Sequence, residues 1–158
     1  MASASRRGRI STRSISASPD AALTTLLGAA RTIAVVGLSP DPGRPSHSVA
    51  RYLQRAGYRI VPVNPFATEI LGEQAYPTIT SAATDHAIDI VDVFRRSVHV
   101  RDLVREAIPL SPRLIWLQQG VRDDAAAALA RAAGIPFVMD RCLAVEHDRL
   151  ISPHREAE

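Results

Sequence analysis

The stretch Thr32-Ile-Ala-Val-Val-Gly-Leu-Ser-Pro-Asp-Pro-Gly-Arg-Pro-Ser46, followed at once by His47-Ser-Val-Ala-Arg-Tyr-Leu-Gln-Arg-Ala56, constrains this chain more than any other. Its opening run of β-branched and small apolar residues is too short for a helix and reads as a buried strand. Prolines and small residues then make a loop. Val49, Tyr52, Leu53 and Ala56 fall on one face of a helix, with Arg51 and Arg55 on the solvent side and Gly57 as its left-handed end. Strand, loop and helix in this order form a nucleotide-binding opening.

The loop has the chemistry of an anion site. Gly37 lets the chain turn sharply out of the strand, and Pro45 supplies the fixed φ that a first helical turn accepts. Ser39, Ser46 and Ser48 bring hydroxyls to a helix start, where the dipole and unpaired amides favour phosphate, and Arg44 adds a planar cationic fork.

The rest of the chain repeats the pattern of strand, polar carboxyl end and helix. A short helix is expected over residues 21 to 30, with Asp20 as its cap. Strands are expected over 32 to 37, 58 to 63, 88 to 94, 113 to 117 and 135 to 139, with Pro62 awkward inside the second because it cannot donate to a ladder. Residues 66 to 79 read as a loop with a short extended piece. Ser97 is a fitting cap for the helix carrying Val98, Val100, Leu103, Val104 and Ala107, and Asp123 and Asp124 open an alanine-rich helix ending at Gly134. The expected fold is an α/β, Rossmann-like, doubly wound and mainly parallel five-stranded sheet with helices on both faces.

A right-handed crossover puts Asn64 and Pro65 beside the Gly37 loop. A NAD site usually has Gly-x-Gly-x-x-Gly after the first strand and a carboxylate after the second. Here Gly37-Leu38-Ser39 breaks the glycine pattern and Asn64 stands in the acid's place, which argues against NAD and leaves a nucleotide with an extra ribose phosphate open. All 19 basic residues are arginine, so neither a Schiff-base lysine nor a Gly-Lys-Ser/Thr phosphate loop is available.

Catalytic readings are weaker. Asp89 and Asp92 lie at odd spacing on opposite faces of a strand and read as structural. Arg95 and Arg96 follow that strand and can meet phosphate or solvent. Cys142 and His147 lack a third, orienting group, and the five histidines show no metal-ligand spacing. No catalytic set and no metal are expected.

Residues 1 to 18 hold Arg6, Arg7, Arg9 and Arg13, serines and no acid, and read as a disordered tail; a mitochondrial transit peptide has the same composition. Without these four arginines the chain has 15 basic and 16 acidic residues, a net −1, so its basicity does not imply a nucleic-acid face. Residues 19 to 151 are expected to be one domain and 152 to 158 a polar end. One cysteine suits a reducing compartment, and no apolar run suits a membrane, so a cytoplasmic location is expected.

Val35-Val-Gly-Leu-Ser39 with Arg44-Pro-Ser46, Val61-Pro-Val-Asn-Pro65, Ile70-Leu-Gly72 with Tyr76-Pro77, Asp89-Ile-Val-Asp-Val-Phe94, Trp116-Leu-Gln118 and Met139-Asp-Arg-Cys142 occur in order. Together they resemble the small stand-alone CoA-binding proteins, themselves similar to the CoA-binding domain of the succinyl-CoA synthetase alpha subunit. The resemblance implies a domain that holds coenzyme A or an acyl-CoA, with its ADP part across the first two strand ends. It implies phosphate contacts from Gly37, Leu38, Ser39, Arg44 and Ser46, an adenosine border at Asn64 and Pro65, and contacts along Phe94, Arg95 and Arg96, then Gln118 and Gly120. The synthetase's Pro-Asn-Cys segment is altered here, and its phosphorylated histidine belongs to a later domain, so ligase activity is not expected. A CoA-binding module without catalysis, a non-catalytic subunit presenting CoA to a partner enzyme, and an NAD(P)-dependent oxidoreductase stay open.

Overall fold

A computed structural model describes residues 18 to 152. The expected tail, apart from Ser18, and the polar end, apart from Ser152, lie outside the described residues.

The chain runs through α1 (Pro19–Ala29), β1 (Thr32–Val36), α2 (Pro45–Arg55), β2 (Arg59–Val63), β3 (Glu69–Ile70), β4 (Glu73–Gln74) and α3 (Ile79–Ala82). It continues through β5 (Ile90–Val93), α4 (Ser97–Ala107), β6 (Leu114–Leu117), α5 (Asp124–Ala132), β7 (Phe137–Val138) and α6 (Leu143–Leu150). The main sheet is five-stranded and parallel, in the order β2-β1-β5-β6-β7. β3 and β4 form a separate antiparallel hairpin within the expected loop.

Alternation along the strands builds two cores. In β1, Ala34 and Val36 face one side with α3, α4 and α5; Ile33 and Val35 face the other with α1, α2 and α6. Because β2 lies on one side of β1 and β5 on the other, the order reverses between β1 and β5. Open sheets of this kind leave a crevice at that point, beyond the carboxyl ends of the strands.

Several expectations are corrected. Ser18, rather than Asp20, caps α1: its hydroxyl accepts the Ala21 amide at 3.2 Å, while Asp20 pairs with Arg149 at 2.8 Å. Ser97 is already helical and Arg96 precedes α4, so the Ser97 hydroxyl instead accepts the Arg122 amide at 3.1 Å. The fifth strand shrinks to two residues, and α3 and α6 are additional helices. Pro62 fits because β2 lies at the sheet's edge. Its carbonyl accepts the Tyr76 amide on the outer side, so its nitrogen faces away from β1.

Candidate ligand-binding site

The site forms where β1 ends. Gly37 has φ +85°, and a Cβ there would stand 2.5 Å from the Phe94 carbonyl oxygen. Glycine is therefore required both by the turn and by the close approach of the β1 and β5 ends. The following loop is tied by its own polar groups. Ser39 N–H donates to Ser46 Oγ at 3.0 Å, Asp41 N–H to Ser39 Oγ at 3.1 Å, and Gly43 N–H to Asp41 Oδ1 at 2.9 Å. Each serine accepts in these bonds, which leaves its own hydroxyl hydrogen available to a ligand. Arg44 is the residue before α2 and makes no side-chain capping bond, and Pro45 takes the first helical position.

Gly37, Ser39, Arg44 and Ser46 line a cleft of about 640 Å³ together with Phe94, Arg95, Arg96 and Gln118. Eight of the residues expected at the site thus meet in one place. Among the described residues no carboxylate pairs with Arg44, Arg95 or Arg96, and none lines the cleft. Three guanidiniums without a carboxylate partner among the described residues, and two donor hydroxyls around a helix start, have the chemistry to meet an anion such as phosphate.

Four expected residues lie outside that lining. Leu38 is 0 % exposed and anchors the loop in the core, while its carbonyl accepts Asn64 Nδ2 at 2.9 Å. Asn64 Oδ1 in turn accepts the Phe66 amide at 2.7 Å, so the nitrogen of this amide ties the β2 end to the loop while its oxygen holds the turn that follows β2. Pro65 borders a smaller hollow of about 200 Å³ on the other side of Arg95. Gly120 donates its amide to Asp140 Oδ1 at 2.8 Å; that bond first, then Arg122, holds the Asp140 carboxyl below the usual carboxylate range. The cleft follows the order reversal between β1 and β5, away from β2, which is why Asn64 and Pro65 fall aside.

Val49, Gln119, Val121 and Cys142 also line the cleft. Cys142 precedes α6 at the end of the fifth strand, a position that repeats the polar carboxyl ends of the other strands. No hydrogen bond links it with His147, whose Nδ1 lies 2.9 Å from the Tyr52 hydroxyl on the outer side of α2. The two side chains line different clefts, so they do not form a nucleophile and base.

The two strand aspartates also part ways. Asp89 Oδ2 accepts the amides of Arg31 and Thr32 at 2.8 and 3.0 Å and Oδ1 meets Arg113 at 3.3 Å, which fixes the start of β1. Asp92 is wholly buried. Its Oδ1 accepts Gln118 Nε2 at 2.8 Å and Oδ2 has no hydrogen-bond partner. Burial pushes this carboxyl up to about 7, opposed by the Gln118 bond. The pair fixes the Gln118 amide at the cleft with its carbonyl oxygen left over. Among the described residues no cluster of His, Cys, Asp and Glu could hold a metal, and no helix is long and apolar enough to cross a membrane.

Comparison with known proteins agrees with this fold. An uncharacterized protein of Bacillus subtilis, YneT, is 39% identical over 127 residues, covering 80% of this chain and 93% of that protein. The structure of cell-free ID.343 from Thermus thermophilus matches with a TM-score of 0.80 and 44% identity, over 85% of this chain and all of that one. An acetyl-coenzyme A synthetase 1 from Ca. Korarchaeum cryptofilum shares the fold over 69% of this chain and 26% of that one, with a TM-score of 0.61 and 20% identity. The family model described as CoA binding domain matches residues 31–148, and the chain belongs to that family.

Proposed function

We propose that this protein binds coenzyme A or an acyl-CoA in the cleft between the β1 and β5 ends and carries out no chemistry on it by itself. The observation that carries this reading is the set of Arg44, Arg95 and Arg96, all without acidic partners among the described residues, around the Gly37 bend and the Ser39 and Ser46 hydroxyls. Coenzyme A brings a pyrophosphate and a 3′-phosphate to such a surface. Its pantetheine arm has amides and apolar carbons, which suit the Gln118 carbonyl oxygen and the Val49, Phe94 and Val121 side chains. In a protein that only holds the cofactor, a partner enzyme draws on it from the open side of the cleft.

Isothermal titration calorimetry with CoA, 3′,5′-ADP, NAD and NADP tests this. The expected result is heat with CoA, weaker binding of 3′,5′-ADP, and no saturation with NAD. Saturation by NADP with none by CoA would overturn the proposal in favour of an oxidoreductase.

A further inference from the structure

A second cleft, of about 540 Å³, opens on the outer side of α2 against α6. Among the described residues it shares no lining residue with the cleft at Gly37. His47, Arg51 and Arg55 follow one another at four-residue spacing along α2, which stacks their side chains along one stripe. Among the described residues no acid lines the cleft and neither guanidinium has a carboxylate partner. The cation stripe is more than a solvated helix face because it sits in a concavity with a buried imidazole. His47 is only 8 % exposed, and no hydrogen bond is made by its ring within the described residues. Neither ring nitrogen is among the buried side-chain atoms that lack a partner, so the polar edge of this otherwise buried ring opens into the cleft and can meet a ligand there. The far wall is set by Tyr52, whose hydroxyl lies 2.9 Å from His147 Nδ1 and 3.5 Å from Ser152 Oγ, fastening α6 to α2.

We infer that this cleft binds a small phosphomonoester. Arg51 and Arg55, one turn apart, grip the phosphoryl oxygens with their planar forks, and His47 supplies a hydrogen bond at the base. The cleft is far larger than a bare phosphate and falls in the range of about 300–1,000 Å³ usual for small-ligand sites, so an organic remainder shares it. This inference is independent of the CoA proposal, since it concerns a different face of the molecule.

The test is an NMR titration of the full-length, ¹⁵N-labelled protein at low ionic strength, with ribose 5-phosphate and inorganic phosphate as probes, read at the His47 ring and the α2 amides. Ribose 5-phosphate is expected to shift the His47 ring signals and to saturate at a clearly lower concentration than inorganic phosphate. In the variant carrying Arg51→Ala and Arg55→Ala the required concentration should rise by about tenfold for each guanidinium removed, while shifts at Gly37 stay as in the wild type. Should that variant lose its fold, Arg55→Ala alone, at an exposed position, carries the same reading. The inference fails if the His47 signals stay still, if the variant responds like the wild type, or if inorganic phosphate saturates as readily as the ester. A response to a poly-glutamate peptide without one to ribose 5-phosphate would assign the cleft to an acidic protein and overturn it as well.

Discussion

Replacing Asp92 by asparagine should remove one large pH-dependent contribution to stability. Asp92 lies in β5 between Val35 of β1 and Trp116 of β6, fully buried, with one carboxylate oxygen bonded to Gln118 and the other to nothing. Burial raises its pKa from 3.8 to about 7. At about 1.36 kcal/mol per unit, a rise of roughly three units is worth about 4 kcal/mol. The sign follows from proton counting. Between these two values the folded chain holds a proton that the unfolded chain has released, so stability falls as pH rises, and above the folded value it levels off. Asparagine carries no such proton. The variant should therefore match the wild type near pH 4 and exceed it by about 3 to 4 kcal/mol at pH 8, a difference in melting temperature on the order of 10 °C for a domain of this size. Thermal and urea unfolding followed by circular dichroism at several pH values measures the difference directly. A variant-minus-wild-type difference that does not change between pH 4 and pH 8 would refute the reasoning.

Other perturbations follow from the same contacts. Gly37→Ala puts a Cβ 2.5 Å from the Phe94 carbonyl oxygen at φ +85°, and should cost about 2 kcal/mol or more in urea unfolding because both backbone strain and a backbone clash must be relieved. Arg44→Ala should leave that stability unchanged yet weaken CoA binding by about tenfold or more, as loss of a charge-assisted phosphate contact does; equal calorimetric affinity would remove Arg44 from the site. Arg149 pairs with Asp20 at 2.8 Å and also binds Glu146, joining α6 to α1. Its hydrogen bonds hold the Asp20 carboxyl below its ordinary range, so this link is complete at neutral pH and is lost as pH falls through the lowered value. Arg149→Ala should speed hydrogen exchange in α1 at neutral pH, with little further effect in acid or high salt.

Much of this was legible in the sequence because short β-branched runs and single glycines carry unambiguous physical demands. Thr32 to Val36 could only be a strand, and Gly37 after it could only be a turn. The carboxyl ends of successive strands pointed to Ser39 and Arg95 without any knowledge of their distances, while Phe94 and Gln118 were expected only from the family resemblance. What stayed hidden depended on strand order. Pairing of β5 with β1 moves the crevice away from β2, and with it Asn64 and Pro65, whose local sequence gives no sign of the shift. The helix Leu143–Leu150 escaped because its apolar pattern is broken: Val145 is 62 % exposed, while the polar His147 is buried against Tyr52. Ser18 and Asp20 are both good caps two positions apart, and only the backbone decides between them. The buried state of Asp92 is invisible in a run that carries a second aspartate, Asp89, at its start, since the same letters fit a strand with one wet face.

The most direct test is a crystal structure of the protein grown with coenzyme A. The proposed site predicts the pyrophosphate against Ser39, Ser46 and Arg44, with the pantetheine arm passing Gln118. Coenzyme A bound at another surface, or a crystal in which that cleft stays empty at saturating ligand, would contradict it.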